Sequence, residues 1–154
     1  MILPIHTYPD PVLRAMCARV ATVDVDIQRL VIDLRDTMSA ANGLGLAAPQ
    51  VGVDLRVAVV GELVLINPVI ESGAGEATEP EGCLSLPGLI APISRHTQIT
   101  FSATSEAGER YSLEVFGERA RAVQHEVDHL DGKLFIDYLG PVKRDLLLSR
   151  WRKR

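Results

Sequence analysis

Hydrophobic and polar positions alternate along the chain with two different periods, and these periods predict its helices and strands. Apolar residues recur every three to four positions over residues 25–41 and again over residues 118–132, which predicts two amphipathic helices. Asp24 or Asp26 is a suitable N-cap for the first of them. A third and shorter helix is expected at residues 142–151.

Shorter stretches have the composition and alternation of strands. These strands are expected at residues 55–60, 62–66, 97–103 and 110–116. Residues 10–18 are expected to form a short first helix, 43–52 a glycine-rich turn and 72–79 a polar loop. Helices towards both ends with strands between them favour the α+β class, in a single domain that spans residues 1–154.

Length and composition suit one domain that folds without disulfides. The chain has 154 residues, 47% of them hydrophobic, and only two cysteines. Its apolar runs are too short to span a bilayer, and its first residues lack the basic segment and cleavage site of a secretory signal. We therefore expect a cytoplasmic protein with no membrane partner, and a monomer, because no feature of the sequence marks a dimer face.

Charge is distributed unevenly. Residues 143–154 hold six cations against Asp145 alone, so this segment carries +5 and the rest of the chain −9. An acidic body disfavours nucleic acid, whereas a basic helix at about residues 142–154 is able to contact an anionic surface. The simpler interpretation is a solvated helix end, where the helix dipole favours cations.

The strongest chemical signal is the sequence His-Glu-Val-Asp-His at residues 125–129. On a helix, His125 and His129 lie on one face about 5–6 Å apart at Cβ, so both imidazoles are able to bind one metal ion. Glu126 brings a carboxylate that can accept a proton from water and pass it on. The alternative is a helix with a solvated histidine and a His–Glu pair, but the apolar stripe of this helix favours burial.

A hydrolytic metal site needs a third protein ligand and one open position. No histidine follows His129, and the acidic residues after it have no convincing spacing. Cys83, within Glu-Gly-Cys-Leu-Ser at residues 81–85, is the better candidate, with an ordinary buried thiol as its alternative. The other cysteine and the other histidines are expected to be structural or exposed: Cys17, His6 and His96.

A third feature is the sequence Gly-Leu-Gly-Leu-Ala-Ala-Pro-Gln at residues 43–50. It lacks the third glycine of a dinucleotide-binding fingerprint and follows a helix rather than a strand. Its small residues allow the backbone to approach a ligand closely, and Gln50 is able to donate from its amide nitrogen. Taken alone, a tight and buried turn explains this segment equally well.

Together, these three segments resemble the peptide deformylase family in order and spacing. The family motifs are a Gly-apolar-Gly-apolar-Ala-Ala-x-Gln turn, a Glu-Gly-Cys-apolar-Ser segment and a His-Glu-x-Asp-His helix. All three are intact here, at residues 43–50, 81–85 and 125–129. The resemblance implies a deformylase-like fold, in which antiparallel strands pack around a central metal-binding helix.

The resemblance also implies a role for each motif residue. Cys83, His125 and His129 would hold one divalent metal, ferrous iron in the cell, which nickel, cobalt or zinc readily replaces. Glu126 would act as general base and then as general acid. Gln50 and the backbone N–H of Leu84 would stabilise the oxyanion formed from the formyl oxygen. Gly45 would form a hydrogen bond with the substrate backbone.

The implied reaction removes formate from the N-formylmethionine of newly made polypeptides. The basic C-terminal helix resembles a longer one that docks some bacterial members on the ribosome. Many bacterial members of the family carry an Arg a few residues after the cysteine segment, where this chain has Ile90. Two positions that are usually more apolar in the family hold Glu118 and Arg121 here. Arg95 is present and is expected to pair with Glu81.

Two alternatives to a deformylase remain at this point. One is a related metal-dependent amidase of other specificity, and the other is a non-catalytic protein that binds N-terminal peptides. Glu126 argues against the second, because a binding protein has no need of that base. A purely structural metal site is disfavoured, since such sites usually close with four protein ligands.

Overall fold

The computed structural model describes residues 1–153, which form two antiparallel sheets and three α-helices. The helices are α1 (Val25–Ala40), α2 (Gly117–Leu130) and α3 (Pro141–Arg152). The strands are β1 (Gly45–Ala47), β2 (Val57–Val60), β3 (Leu63–Ala74), β4 (Ala77–Cys83), β5 (Leu86–Arg95), β6 (Gln98–Thr104) and β7 (Arg110–Phe116). Short 3-10 turns lie at Pro11–Arg14, Ala48–Val51 and Phe135–Tyr138.

The larger sheet has five strands in the order β1-β2-β3-β6-β7 and is covered by a helix on each face. Successive side chains of a strand point to opposite faces. In β2, Val57 and Val59 pack with α1, whereas Ala58 and Val60 pack with α2. Because both faces are covered, β2 is apolar at every position rather than alternating.

The smaller sheet pairs only β4 with β5 and has a hydrophobic cluster of its own. Alternate residues of β5 are buried, among them Leu89 and Ile93, and they pack against the 3-10 turn Phe135–Tyr138 and α3. Trp151 of α3 donates from Nε1 to the backbone oxygen of Pro87 at 2.8 Å. The helix α3 is therefore docked on the smaller sheet.

Several expectations from the sequence are confirmed. The structure has the α+β class, with antiparallel sheets around the helix α2. Asp24 caps α1, because its Oδ1 accepts a hydrogen bond from the backbone N–H of Ile27 at 3.0 Å. The basic segment forms α3 as far as Arg152, while Arg154 lies outside the described residues. Among residues 1–153, no helix is both long and apolar enough to cross a membrane.

Three expectations about local structure are wrong. The helix expected at residues 10–18 is a single 3-10 turn, Pro11–Arg14, since the backbone becomes extended at Ala15. The turn expected at 43–52 contains β1, which pairs with β2. The polar loop expected at 72–79 is the end of β3 and the start of β4. Strand pairing depends on backbone groups, and solvent-facing polar side chains do not prevent it.

The strand β5 is absent from the sequence-based prediction because it contains two prolines and a glycine. Pro92 lies opposite Pro80 of β4. Proline is excluded from central strands but is tolerated at sheet edges, and both strands of a two-stranded sheet are edges. The prolines are therefore compatible with a strand here, because each strand of this sheet has only one neighbour.

Candidate metal centre

The helix α2 carries three of the functional side chains, and all three are buried. His125, Glu126 and His129 have relative exposures of 8%, 4% and 1%. The Nε2 atoms of the two histidines lie 3.2 Å apart, as their separation by one helical turn allows. Apolar residues of the same helix, including Val123 and Leu130, pack against the larger sheet and fix the position of this face.

Cys83 reaches the two histidines from the end of β4. Its Sγ lies 3.3 Å from Nε2 of His129. Within residues 1–153, Cys83, His125 and His129 form the group whose ligand atoms all lie within 4.8 Å of one another. The structure therefore brings together the three residues that the sequence selects as metal ligands.

The contacts inside this group fit a divalent cation. Nδ1 of His125 faces Glu81 Oε2 at 2.8 Å and is assigned as the donor, which leaves its Nε2 lone pair directed at the facing Nε2 of His129. Two ring nitrogens this close need either a shared proton or a shared cation. A thiolate with two imidazoles is a donor set that suits zinc and similar transition metals, and three protein ligands leave a position open.

Burial and mutual repulsion separate the proton affinities of the two histidines. Burial and the nearby His125 charge both lower the pKa of His129 well below its usual value. Burial also opposes the charged form of His125, but Glu126, Cys83 and Glu81 outweigh it and raise the pKa of this histidine. The surroundings therefore shift the pKa values of the two histidines in opposite directions.

Glu81 is the buried carboxylate that holds His125 in place. Arg95 donates to it in a bidentate manner, from Nε to Oε1 at 2.8 Å and from Nη2 to Oε2 at 2.7 Å. Burial would raise the pKa of Glu81, but the hydrogen bonds from Arg95 and His125 outweigh this and lower it. The pairing of Arg95 with Glu81 that the sequence predicts is therefore present, and it keeps Glu81 ionised as an acceptor.

Glu126 lies beside the ligand group without a fixed partner for one of its oxygens. Its Oε1 is buried and has no hydrogen-bond partner among residues 1–153. Burial, opposed by the nearby charge of His125, raises the pKa of Glu126 to about 7. A carboxyl group with this pKa can exchange protons near neutral pH, as a general base requires.

Gly45, in β1, and Gln50, in the 3-10 turn that follows it, lie against the same group. A Cβ on Gly45 would come within 2.7 Å of Glu126 Oε2 and 3.0 Å of the backbone oxygen of Val59, so this position has room only for glycine. Gln50 accepts from the N–H of Ala47 at 3.0 Å. Its amide nitrogen is directed at Cys83 Sγ, 3.6 Å away, and is therefore held beside the ligands.

A cavity of about 600 Å³ opens onto these residues. Its walls come from β1, β4 and α2 and from the chain around Leu84. The residues of the predicted site that line it are Gly45, Gln50, Cys83, Leu84, His125 and Glu126. A cavity of this size, with a few convergent polar groups and a carboxyl of raised pKa, has the properties of a substrate-binding site.

Comparisons with known proteins agree with this arrangement. The family model for polypeptide deformylase matches residues 2–145. The peptide deformylase of Alkalilimnicola ehrlichii is 48% identical over 160 residues, which cover 99% of this chain and 90% of that protein. The chain belongs to the peptide deformylase family. Members of this family are metal-dependent hydrolases that remove the formyl group from N-formylmethionine peptides.

Solved structures of peptide deformylases share the fold. The crystal structure of a peptide deformylase from Legionella pneumophila has a TM-score of 0.95 and 40% identity, covering 99% of this chain and 95% of that one. That of the Ehrlichia chaffeensis enzyme in complex with actinonin also has a TM-score of 0.95, with 37% identity and coverages of 99% and 96%. The deformylase-like fold expected from the sequence is thus confirmed.

Three positions that the sequence analysis expects to differ from the family pattern lie at or near the cavity. Ile90 is 58% exposed, and its Cδ1 lies near Gly82 in the cavity wall. Glu118 is exposed at the rim of the cavity, whereas Arg121 turns inwards and donates to Glu81. The cavity therefore has charged groups in the first two turns of α2.

Two further residues, Asp128 and Ser85, make polar contacts at the site that were not predicted. Asp128 accepts from Arg95 Nη1 at 2.8 Å and from the hydroxyl of Tyr138 at 2.7 Å. Ser85 accepts from the amide nitrogen of Gln50 at 3.1 Å. Asp128 lies three residues after His125 and therefore on the same helical face, which was the available signal for its place in the site. The contact between Gln50 and Ser85 depends on the approach of two segments that are distant in the sequence.

The residues that the sequence assigns to structural roles lie away from the ligand group. Cys17 is buried, and this burial raises the pKa of its thiol to about 11. His6 is paired with Asp10 at 2.7 Å, and Nδ1 of His96 faces the backbone oxygen of Gly75 at 3.1 Å. A thiol with a raised pKa is a poor metal ligand near neutral pH.

Proposed function

We propose that the deformylase reaction takes place where Glu126 faces the cavity, with Cys83, His125 and His129 as the metal ligands. The observation that carries this proposal is the convergence of the three ligand atoms within 4.8 Å, next to a buried carboxylate with an unpartnered oxygen. A divalent cation at this position would supply Lewis acidity and make a water molecule nucleophilic at neutral pH. We propose ferrous iron as the native ion, with nickel, cobalt or zinc as substitutes.

Glu126 is the group that moves protons in this proposal. Its carboxylate accepts a proton from the water whose oxygen adds to the formyl carbon. It then gives the proton to the amine nitrogen as the carbon–nitrogen bond breaks, so formate and a free N-terminal amine leave. Its burial beside the ligand group and its unpartnered Oε1 support both steps, because no competing hydrogen bond from the described residues occupies this oxygen.

The side chain and backbone groups opposite Glu126 bind and orient the substrate. The amide nitrogen of Gln50 and the backbone N–H of Leu84 would donate to the negative charge that develops on the formyl oxygen. The backbone of Gly45 would bond to the peptide. β1 is an edge strand of the larger sheet, and Gly45 lines the cavity, so an extended peptide could add to this edge.

Release of formate from formyl-Met-Ala tests this function directly. The purified chain is loaded with Fe²⁺ or Ni²⁺ without oxygen and assayed beside acetyl-Met-Ala and unmodified Met-Ala. A deformylase releases formate rapidly and leaves the acetyl peptide nearly intact. Equal cleavage of formyl and acetyl peptides would instead favour an amidase of broader specificity, and binding of all three without cleavage would favour a peptide-binding protein.

We further propose that the chain acts in the cytoplasm as a monomer, and that α3 contacts the ribosome. The support is the cluster of cations on and after α3, composed of Lys143, Arg144, Arg150, Arg152 and Lys153. Salt-sensitive co-sedimentation with ribosomes is the expected result, and a variant with Arg150 and Lys153 changed to glutamine should lose it. Sedimentation that is unchanged in this variant would contradict the proposed contact.

A further inference from the structure

The three proposed metal ligands belong to two separately packed parts of the molecule. His125 and His129 lie on α2, whose apolar residues pack in the cluster formed with the larger sheet. Cys83 ends β4 in the smaller sheet and packs at the edge of a different cluster. The distances between ligand atoms therefore depend on what fixes α2 relative to the smaller sheet.

Arg121 connects these two parts at three points. It lies on α2, one turn before His125, and its guanidinium crosses to the smaller sheet. Nη1 donates to Glu81 Oε1 at 3.0 Å and to the backbone oxygen of Ile93 at 2.9 Å. Nη2 donates to the backbone oxygen of Ala77 at 2.8 Å. One side chain of the helix thus contacts both strands of the smaller sheet.

The contacts at Glu81 are divided between its two oxygens in a way that matters for His125. Oε1 accepts from Arg95 Nε and from Arg121, whereas Oε2 accepts from Arg95 Nη2 and from His125 Nδ1. Arg121 and His125 lie on one face of α2, separated by four residues. The carboxylate is therefore held against this face at two successive turns, and it meets the imidazole at a fixed angle.

We propose that Arg121 is a positioning residue for the metal centre: it fixes Glu81 and the smaller sheet relative to α2, and so orients His125 towards the ion shared with Cys83. This proposal rests on the ligand set assigned under the proposed function. Groups that orient a metal-binding histidine typically change metal affinity or activity by about 10–100-fold when removed. Arg121 also lines the cavity, so its own effect must be measured without substrate.

Metal affinity of the complete chain tests the proposal. The dissociation constant for Ni²⁺ is measured by chelator competition, and the visible spectrum of the Co²⁺-loaded protein reports ligand geometry. The variants are Arg121→Met and Arg121→Lys, with Arg119→Met as the matched control. Arg119 lies on the same helix, is exposed, and forms an ion pair with Glu62 instead of reaching the smaller sheet.

The variants should differ from one another in Ni²⁺ affinity and in Co²⁺ spectrum. Arg121→Met should bind Ni²⁺ about tenfold more weakly and show a changed Co²⁺ spectrum. Arg121→Lys should fall between it and the wild type, because an ammonium group is able to contact Glu81 but lacks the planar fork that spans both backbone oxygens. Arg119→Met should match the wild type in both measurements.

Several results would overturn the proposal. Wild-type Ni²⁺ affinity and Co²⁺ spectrum in Arg121→Met would leave Arg121 with a structural role only. An equal loss of Ni²⁺ affinity in Arg119→Met would show that the effect comes from the net charge of the helix and not from the contacts of Arg121. If Arg121→Met does not fold, wild-type affinity in Arg121→Lys decides against the proposal in the same way. A wild type that binds Ni²⁺ but releases no formate would contradict the proposed function and leave this inference standing.

Discussion

The helix α2 is attached to the two sheets by different kinds of contact. Against the larger sheet it buries apolar side chains such as Val123 and Leu130, both fully inaccessible. Towards the smaller sheet it makes hydrogen bonds and ion pairs: Arg121 donates to Glu81 and to the backbone oxygen of Ile93, and Asp128 accepts from Arg95. Apolar packing is non-directional and tolerates small shifts, whereas charged hydrogen bonds fix distances and angles. The directional contacts lie on the side where the ligands of a metal must meet.

The largest effect is expected from a substitution on α2 that should abolish proton transfer but keep metal binding. Glu126→Gln keeps the size of the side chain but removes its proton-accepting carboxylate. Formate release should fall by about 10²–10⁴-fold, the usual contribution of a general base. The metal content, measured by elemental analysis, should stay at the wild-type value, because Glu126 is outside the ligand group.

Glu118→Gln is the matched control for this prediction. It changes another glutamate on α2 that borders the same cavity but is exposed to solvent. This variant should keep most of its formate release. If the two variants lose activity equally, the effect comes from the charge of the cavity, and Glu126 has no special role as a base.

The next prediction tests whether the two sheets unfold together, as a single domain should. Phe101 is fully buried in the cluster of the larger sheet, and Phe101→Ala should lower the free energy of unfolding by about 3–5 kcal/mol. Trp151, the single tryptophan, packs on the smaller sheet and reports on it by fluorescence. Fluorescence and far-UV circular dichroism should show one common midpoint in urea, at lower urea in the variant.

Separate midpoints would contradict the single domain. In that case Phe101→Ala would shift the circular dichroism transition of the larger sheet and leave the fluorescence transition of Trp151 in place. Phe135→Ala, in the cluster of the smaller sheet, provides the converse test. In one cooperative domain both substitutions move both signals together.

The difference between the two sheets also explains what was predictable from the sequence. α1, α2, β6 and β7 bury regular apolar faces, and their expected bounds differ from the observed ones by only a few residues at most. β4 and β5 have prolines and polar residues, because a two-stranded sheet leaves much of its surface in solvent. Local periodicity carries no information about which segment will pair with such a strand.

Within the metal centre, too, local spacing predicts some residues and not others. The helical pair His125 and His129 could be found from spacing alone, since one turn of helix fixes their geometry. Cys83 lies more than forty residues away; the sequence offered it as the better third ligand with a buried thiol as the alternative, and the family resemblance then implied it. The inward turn of Arg121 could not be predicted, because it depends on backbone oxygens of the smaller sheet. Long-range contacts between polar groups leave no periodic trace in the sequence.

Metal binding should stabilise the folded chain, because the proposed ligands connect α2 to the smaller sheet. Because a cation that binds only the folded state shifts the unfolding equilibrium, Ni²⁺ at about 100 times its dissociation constant should add about 2.7 kcal/mol. Cys83→Ala removes the ligand from the smaller sheet and should lose most of this gain. The measurement is urea unfolding with and without Ni²⁺.

Cys17→Ala is the control, since Cys17 is a buried thiol outside the ligand group. This variant should be less stable throughout but should keep the full gain from Ni²⁺. A gain that persists in Cys83→Ala would mean that the two histidines of α2 bind the ion without the smaller sheet.

A smaller effect is expected from Gly45→Ala, which tests the close approach of β1 to Glu126. The added Cβ would lie 2.7 Å from Glu126 Oε2 and 3.0 Å from the backbone oxygen of Val59, so the chain has to shift. Overpacking of this kind typically costs about 1–3 kcal/mol of stability. Formate release should fall as well, because the shift moves the carboxylate. Gly140→Ala is the control, with no atom within 4 Å of its Cβ, and it should keep wild-type activity.

The smallest effect should come from an ion pair at the surface. Arg14 donates to both carboxylate oxygens of Asp137, at 2.6 and 3.0 Å, but its side chain is 43% exposed. Burial raises the pKa of Asp137, and the hydrogen bonds from Arg14 and the N–H of Leu134 outweigh this and lower it. Arg14→Met should therefore reduce stability by at most about 1 kcal/mol at neutral pH.

The pH dependence of this variant gives its own check. A carboxyl group with a lowered pKa stabilises the fold above its ordinary pKa of 3.8, and this contribution disappears as the pH falls through the folded-state value. The difference in urea midpoint between Arg14→Met and wild type should thus be largest near pH 7, shrink in acid, and shrink in 1 M NaCl. A difference that is independent of both pH and salt would mean that Arg14 contributes through the packing of its aliphatic stem, and the surface pair would then resemble the apolar contacts of the larger sheet.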